Sequence, residues 1–319
     1  MTPTQLRTYA SIVRHGSSKA AAAELDVSEA AVSNHVASLR KELDDELFHR
    51  SGTGLSFTPG GLRLATRAVE LLGLQDQTRL EVKAAASGRR VLRLAVSSLF
   101  GELCAPGLIE LFSTRAKDLD VEMAVHPAGD VPALLASRGA DIAIGPSLRA
   151  VDGQFVATEF LRYTLVVVAA PNHRFAGRRL TPGEMAEATW YLGPSAVEAG
   201  GVAHAMLANL AIPEARQRIF QSHAAALDEA RGGQGLAVMP ENRVAKEIAA
   251  GSLVRVDGPG TQASGTWSAL TLPRDRGVSP AAAELARFVS TPRAIQSMLT
   301  GSGANITHFR PSVHVTLWS

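Results

Sequence analysis

The stretch that most constrains this chain is Ser17–Pro59, SSKAAAAELDVSEAAVSNHVASLRKELDDELFHRSGTGLSFTP. Ser17 or Ser18 caps a short Ala-rich helix over Ala20–Leu25, whose small side chains permit close helix approach. Asp26-Val27-Ser28 is a turn, with Ser28 as the next N-cap. Val32, Val36, Leu39 and Leu43 then recur at helical spacing and predict one buried stripe. The opposite face carries Glu29, Ala30, Ser33, Asn34 and Ala37, all small or polar. Leu47-Phe48 and Leu55–Phe57 flank Ser51-Gly52-Thr53-Gly54, which reads as a β-hairpin. A further helix precedes this stretch: Thr2 caps it, Pro3 takes its first turn, Leu6, Ala10 and Val13 share a face, and Gly16 ends it.

A slim hydrogen-bonding face suits entry into a DNA major groove, where side chains must reach base edges without steric bulk. The order helix, helix, turn, polar-faced helix, hairpin is that of a winged helix-turn-helix. The bland alternative is an ordinary three-helix packing unit. Charge does not decide between them. Residues 1–60 hold six Lys/Arg against seven Asp/Glu, and the whole chain has a formal net charge of +2.

The opening MTPTQLRTYASIVRHGSSKAAAAELDVSEAAVSNHVASLRKELDDELFHR, with the hairpin and Thr58-Pro59-Gly60, resembles LysR-type transcriptional regulators. The resemblance covers residues 1 to about 291 on the family's domain plan. It places base-facing positions at Ser28, Glu29, Ala30, Ser33 and Asn34, and a wing arginine at Arg50. Family members often have Gln-Pro where this chain has Glu29-Ala30, and Arg where it has Asn34. Glu29 suits a cytosine amino group and Asn34 suits adenine.

After Thr58-Pro59, a cap and first-turn pair, the segment GLRLATRAVELLGLQDQTRLEVKAAASG has no internal breaker except Gly73. Leu64, Ala68, Leu71, Gln75, Thr78 and Val82 fall near heptad positions. A helix of this length spans about 40 Å and cannot bury its stripe within a small winged domain. The stripe faces either a second subunit or this chain's own second domain. The resemblance favours a homodimer or homotetramer.

From Val91 the pattern changes to β-rich runs alternating with helices, which predicts α/β architecture with parallel sheets. The runs are 91–98, 121–127, 140–147, 164–171, 188–195, 216–222, 235–240 and 253–258. Two series over about 200 residues suggest two subdomains with crossovers near Phe160 and Thr266. The expected plan is thus 1–60 winged helix-turn-helix, 61–88 linker helix, 89–291 regulatory module and 292–319 extension. Within the module, subdomain I takes about 91–160 and 267–291, and subdomain II about 161–266.

Several strand ends carry Ser or Gly-Pro-Ser: Ser97-Ser98, Gly145-Pro146-Ser147, Gly193-Pro194-Ser195 and Ser222-His223. Ligands of open α/β sheets bind beyond strand C-termini, and helix N-termini attract anions. Each serine alone is more simply a helix cap. Together they point to a cleft holding a small anionic effector. The resemblance implies the same, a periplasmic-binding-protein-like module with the effector between its subdomains. On that ground Ser97, Ser98, Pro146, Ser195, Ser222 and His223 are the candidate effector residues.

Other classes find less support. The chain has no Gly-x-Ser-x-Gly elbow, phosphate-loop lysine motif or His-Glu-x-x-His pattern, so no enzyme, cofactor or metal is expected. The single Cys104 sits among apolar neighbours and reads as packing. No signal-peptide pattern or membrane-length apolar run is present, and a cytoplasmic protein is expected. The competing readings are a small-molecule-binding protein whose winged domain serves assembly, and a regulator without a small effector. In the extension, Pro292–Leu299 reads as a short helix, and Ser312–Trp318 alternates weakly like an edge strand.

Overall fold

The computed structural model describes residues 1–51, 54–147 and 153–300, the side chains of Arg50 and Ser51 excepted. The chain forms two compact units. One holds Met1–Ser87 with Ala136–Gly139; the other holds Gly88–Leu135 and continues from Ala140.

The first unit contains α1 (Pro3–His15), α2 (Ser18–Glu24), α3 (Glu29–Leu43), β1 (Phe48–Ser51), β2 (Gly54–Phe57) and α4 (Pro59–Ala85). Side chains local in sequence set its boundaries. Thr2 and Gln5 form a capping box on α1, and Gly16 ends it at φ +61°. Ser17, Ser28 and Thr58 cap α2, α3 and α4. Leu6, Tyr9, Ile12, Val32, Val36, Leu39, Leu47 and Phe48 form the core. Leu43 departs from the predicted stripe and is exposed. Asp44 takes left-handed φ 50° and ends α3 immediately after it. Gly61 is required where α4 starts, because a Cβ there would lie 1.9 Å from the Leu47 carbonyl oxygen. Along α4, Leu64 and Ala68 are buried, whereas Leu62, Val69, Leu71, Leu74 and Val82 are exposed.

The second unit contains β3 (Arg90–Val96), α5 (Ser98–Leu103), α6 (Ala105–Arg115), β4 (Leu119–Val125), α7 (Val131–Ala136), β5 (Ile142–Pro146) and β6 (Val156–Ala169). It continues with α8 (Pro182–Glu187), β7 (Trp190–Leu192), α9 (Val202–Asn209), β8 (Gln217–Ile219), α10 (His223–Arg231) and β9 (Leu236–Pro240). The remaining elements are α11 (Glu241–Ala249), β10 (Val254–Arg255), β11 (Gln262–Thr271), α12 (Pro280–Phe288) and α13 (Pro292–Thr300).

Parallel pairing holds for β3 with β4 and β5, and for β7 with β8 and β9. The expectation of wholly parallel sheets is corrected by β6 and β11. These two long strands pair antiparallel from Gln262↔Val166 to Thr271↔Val156, with an irregularity at Trp267/Ser268. One end of the pair joins β5 through Trp267–Thr271, and the other joins β9 through Leu165–Val168. The sheet is therefore mixed, and the β6–β11 ribbon links its two halves. Sequence reading missed β11 and the first half of β6. Glu159, Arg162, Gly265 and the serines of β11 hide the apolar alternation there. The helix expected at the start of the extension is α13, whose Ser297 hydroxyl donates to the Gly107 carbonyl of α6 at 2.8 Å. The alternation over Ser312–Trp318 lies outside the described residues.

Candidate functional site

Two groups of side chains carry the chemistry, one in each unit. In the first, α3 presents Ser28, Glu29, Ala30, Ser33 and Asn34 to solvent. Ser28 Oγ accepts from the Ala31 N–H at 3.1 Å, and Ser33 Oγ donates to the Glu29 carbonyl at 2.9 Å. Both hydroxyls retain lone pairs facing outward, so the serines can accept from a base edge or a bridging water.

The hairpin is held beside this face by Arg40. Its guanidinium donates to the carbonyls of Glu46 (2.7 Å) and Phe48 (2.6 Å) and lies 4.9 Å from the Phe48 ring centroid. Sequence reading missed Arg40, whose partners lie six and eight residues on, across the turn into the wing. His49 is exposed on β1; Arg50 lies in β1, its side chain outside the described residues. A groove of about 430 Å³ runs between α3 and the hairpin, lined in part by Ser33, Ala37, Arg40 and His49.

In the second unit the candidate effector residues lie at or just past the ends of β3, β5, β7 and β8. Ser97 follows β3 and stands at the N-cap of α5 without capping it; Ser98 is next. They are 2% and 8% exposed, and neither hydroxyl has a hydrogen-bond partner. The Ser98 N–H donates to Glu198 Oε1 at 3.1 Å, a carboxylate only 9% exposed. Ser195 Oγ lies 2.8 Å from His223 Nε2. His223 Nδ1 lies 2.7 Å from Glu102 Oε2, and the His223 and Ala224 N–H groups donate to the same carboxylate at 2.7 Å each.

Burial pushes the Glu102 carboxyl up, but these hydrogen bonds outweigh it and hold the group below its ordinary range. An ionised Glu102 only accepts, so Nδ1 carries the ring proton; in the neutral imidazole, Nε2 then accepts from the Ser195 hydroxyl. The order hydroxyl, imidazole, carboxylate is that of an activated-serine relay. Here the hydroxyl is buried and the carboxylate is shared with two backbone N–H groups.

The contacts close a ring: Ser98, Glu198, along the chain to Ser195, then His223, Glu102 and back along α5 to Ser98. Gly193 admits the imidazole, since a Cβ there would lie 2.4 Å from His223 Cδ2. Three candidates stand apart from the ring: Ser97, whose hydroxyl bonds nothing, Ser222 and Pro146. Ser222 Oγ caps α10, accepting from the Ala225 N–H at 3.1 Å. Pro146 is buried at the end of β5 opposite Trp267, next to Gly145, which faces Ser97.

Aromatic side chains pack along the adjoining ribbon, with Tyr163 stacked on Trp267 at 4.1 Å and Phe100 edge-on to Trp267 at 5.3 Å. Sequence reading missed Glu102 and Glu198. Glu102 sits one helical turn after Ser98, but its partners are more than a hundred residues away. Burial pushes the Cys104 thiol up to about 12, against a weaker opposite pull from Arg243, which fits a packing residue. Among the described residues no cluster of His, Cys, Asp and Glu is arranged for a metal ion, and no helix is long and apolar enough to cross a membrane.

Comparison with known proteins gives this geometry its family. The model for the bacterial regulatory helix-turn-helix protein, lysR family, matches residues 3–62, and the LysR substrate binding domain matches residues 85–291. An uncharacterized HTH-type transcriptional regulator from Mycobacterium tuberculosis is 55% identical, with 100% of both chains covered. The RuBisCO operon transcriptional regulator of Allochromatium vinosum is 29% identical, covering 91% of this chain and 96% of its own. Among solved structures, full-length LysG from Corynebacterium glutamicum with bound effector Arg superposes with a TM-score of 0.56 at 21% identity, covering 93% of this chain and 99% of that one. The chain belongs to the LysR family of DNA-binding transcriptional regulators, with an N-terminal helix-turn-helix domain and a C-terminal effector-binding domain.

Proposed function

We propose that this regulator reads its operator through Ser28, Glu29, Ala30, Ser33 and Asn34 of α3, with Arg50 of the wing meeting the backbone or minor groove. The observation that carries the reading is the exposed, slim, hydrogen-bonding face of α3 beside a hairpin tied down by Arg40. Leu71, Leu74 and Val82, exposed on one side of α4, support a homodimer or homotetramer, since a partner helix would cover them. Two readers would then contact half-sites about 34–36 Å apart, or a multiple of that. A small anionic effector is held between the subdomains by Ser97, Ser98, Ser195 and His223, with Pro146 and Ser222 at the margin. It acts by its differential affinity for two arrangements of the protein, in the cytoplasm.

Mobility shift against the DNA upstream of the protein's own coding sequence tests the DNA-reading part. Sequence-selective retardation that weakens as salt rises is expected. Retardation equal on scrambled DNA contradicts it.

A further inference from the structure

Gly73 is the one glycine of α4 beyond its first turn. Glycine inside a helix is less favourable than almost any other residue, so its place there needs a local reason. That reason is a backbone. A Cβ on Gly73 would lie 1.6 Å from the Ser137 carbonyl oxygen and 2.7 Å from its carbon. Ser137 belongs to the short segment Ala136–Gly139, which packs within the first unit although the chain on either side, Leu135 and Ala140, lies in the second. Those two neighbours are buried in one apolar cluster with Ala95, Val131, Ala143 and Leu270. Arg138 holds the turn at φ +59°, a left-handed conformation that a residue with a Cβ rarely adopts. The segment therefore leaves the core of the effector-binding domain, lays Ser137 on α4 and returns. At about 100° per residue, Leu71 and Val82 lie about 180–200° round α4 from Gly73. The Ser137 contact and the exposed row that a partner helix would cover thus occupy opposite sides of one helix. Gln77, one turn on from Gly73, is 8% exposed, and its Oε1 has no hydrogen-bond partner among the described residues. An unmet buried acceptor favours opening of that side to water.

We propose that Gly73 is a seat for the Ser137 backbone, and that residues 136–139 are the relay by which a change in the effector-binding domain reaches α4 and the DNA reader joined to it. The relay rests on the reading of this chain as a regulator that answers to an effector; the seat does not. Leu135 is fully buried, so the segment is anchored in the apolar cluster, and a displacement of that cluster moves the seat. Pressure at Gly73 is delivered through α4 to the side that a partner helix would cover. A side chain added at Gly73 removes the seat while strengthening the helix itself. Loss of the contact is therefore separable from loss of the helix.

Hydrogen exchange of the full-length protein tests the seat without knowledge of the effector. Asp76→Ala is the control, since it raises helix propensity at an exposed position of α4 and adds no bulk at Gly73. Gly73→Ala speeds exchange across residues 136–139 by roughly tenfold, and Asp76→Ala does not. Unchanged protection of that segment in G73A overturns the seat. A double-mutant cycle tests the relay. Leu135→Ala, or Leu135→Val where the larger cavity prevents folding, speeds exchange of α4 around Gly73 and Gln77 by roughly threefold in otherwise wild-type protein, and has no such effect in the G73A background. Equal effects in the two backgrounds overturn the relay. Mobility shift of the same proteins on the upstream DNA separates the relay from the regulatory reading. Coupled exchange without sequence-selective retardation overturns the regulatory reading and leaves the seat and its coupling; selective retardation with equal exchange effects does the reverse.

Discussion

The α3 face and the subdomain junction both depend on serine, and they use it in opposite ways. On α3, Ser28 and Ser33 are exposed and bond within their own helix, three or four residues away. In the second unit, Ser195 meets an imidazole 28 residues away, and Ser97 and Ser98 are buried with unpartnered hydroxyls. The first arrangement is rigid and open to a large external partner. The second is closed, and its contacts join residues about a hundred positions apart. A reader of DNA needs a face whose geometry does not change, whereas a sensor needs groups whose satisfaction depends on what else is present.

The largest expected effect probes the rigidity of the reader. Leu39 is fully buried under α3, and Leu39→Ala should destabilise the first unit by about 2–5 kcal/mol. Denaturant unfolding of the full chain measures it; a loss under 1 kcal/mol would show that the face does not rely on that core. Next come Ser33→Ala and Asn34→Ala, each expected to lower discrimination between operator and scrambled DNA by about 1–3 kcal/mol with the helical circular dichroism signal retained. Unchanged discrimination would move base reading off this face.

On the sensing side the effects are smaller. Ser98→Ala should weaken binding of a small carboxylate by about 1 kcal/mol, the usual worth of one hydrogen bond, seen as a reduced ligand-induced melting shift. An unaltered shift would leave Ser98 a packing residue.

The smallest effect is a pH dependence. Burial raises the Glu102 carboxyl, and the hydrogen bonds from His223 and Ala224 lower it further than that, to below its ordinary value of 4.5. A folded-state value below the unfolded one means the contribution is present in full above about 4.5 and is lost as pH falls through the folded value. The melting-temperature gap between wild type and Glu102→Gln should therefore be constant near neutrality and shrink below pH 4.5. A gap that widens on acidification would contradict the assignment of Glu102 as an ionised acceptor.

What was legible in the sequence follows the same division. Thr2, Ser17, Ser28 and Thr58 cap the helices they precede, because a cap is decided by residues three apart. The hairpin was readable from its glycines and flanking apolar pairs. Ser222 shows the limit of the local rule, since its hydroxyl caps α10 while its neighbour His223 makes the long-range contacts. Glu102 and Glu198 look like ordinary solvated acids in sequence. Their partners lie about a hundred residues away in the chain, so no local pattern marks them. Leu43 failed for a related reason: helical periodicity does not say where the core stops.

The central claim is that a DNA reader and a carboxylate sensor belong to one regulator. The most direct test is DNase I footprinting of the full-length protein on its own upstream DNA, with and without a panel of small carboxylates. The account predicts protected half-sites spaced by about one helical turn or a multiple of it, and a protection pattern that changes with at least one carboxylate. Absence of sequence-selective protection would contradict the reader, and a pattern unmoved by every carboxylate would contradict the sensor.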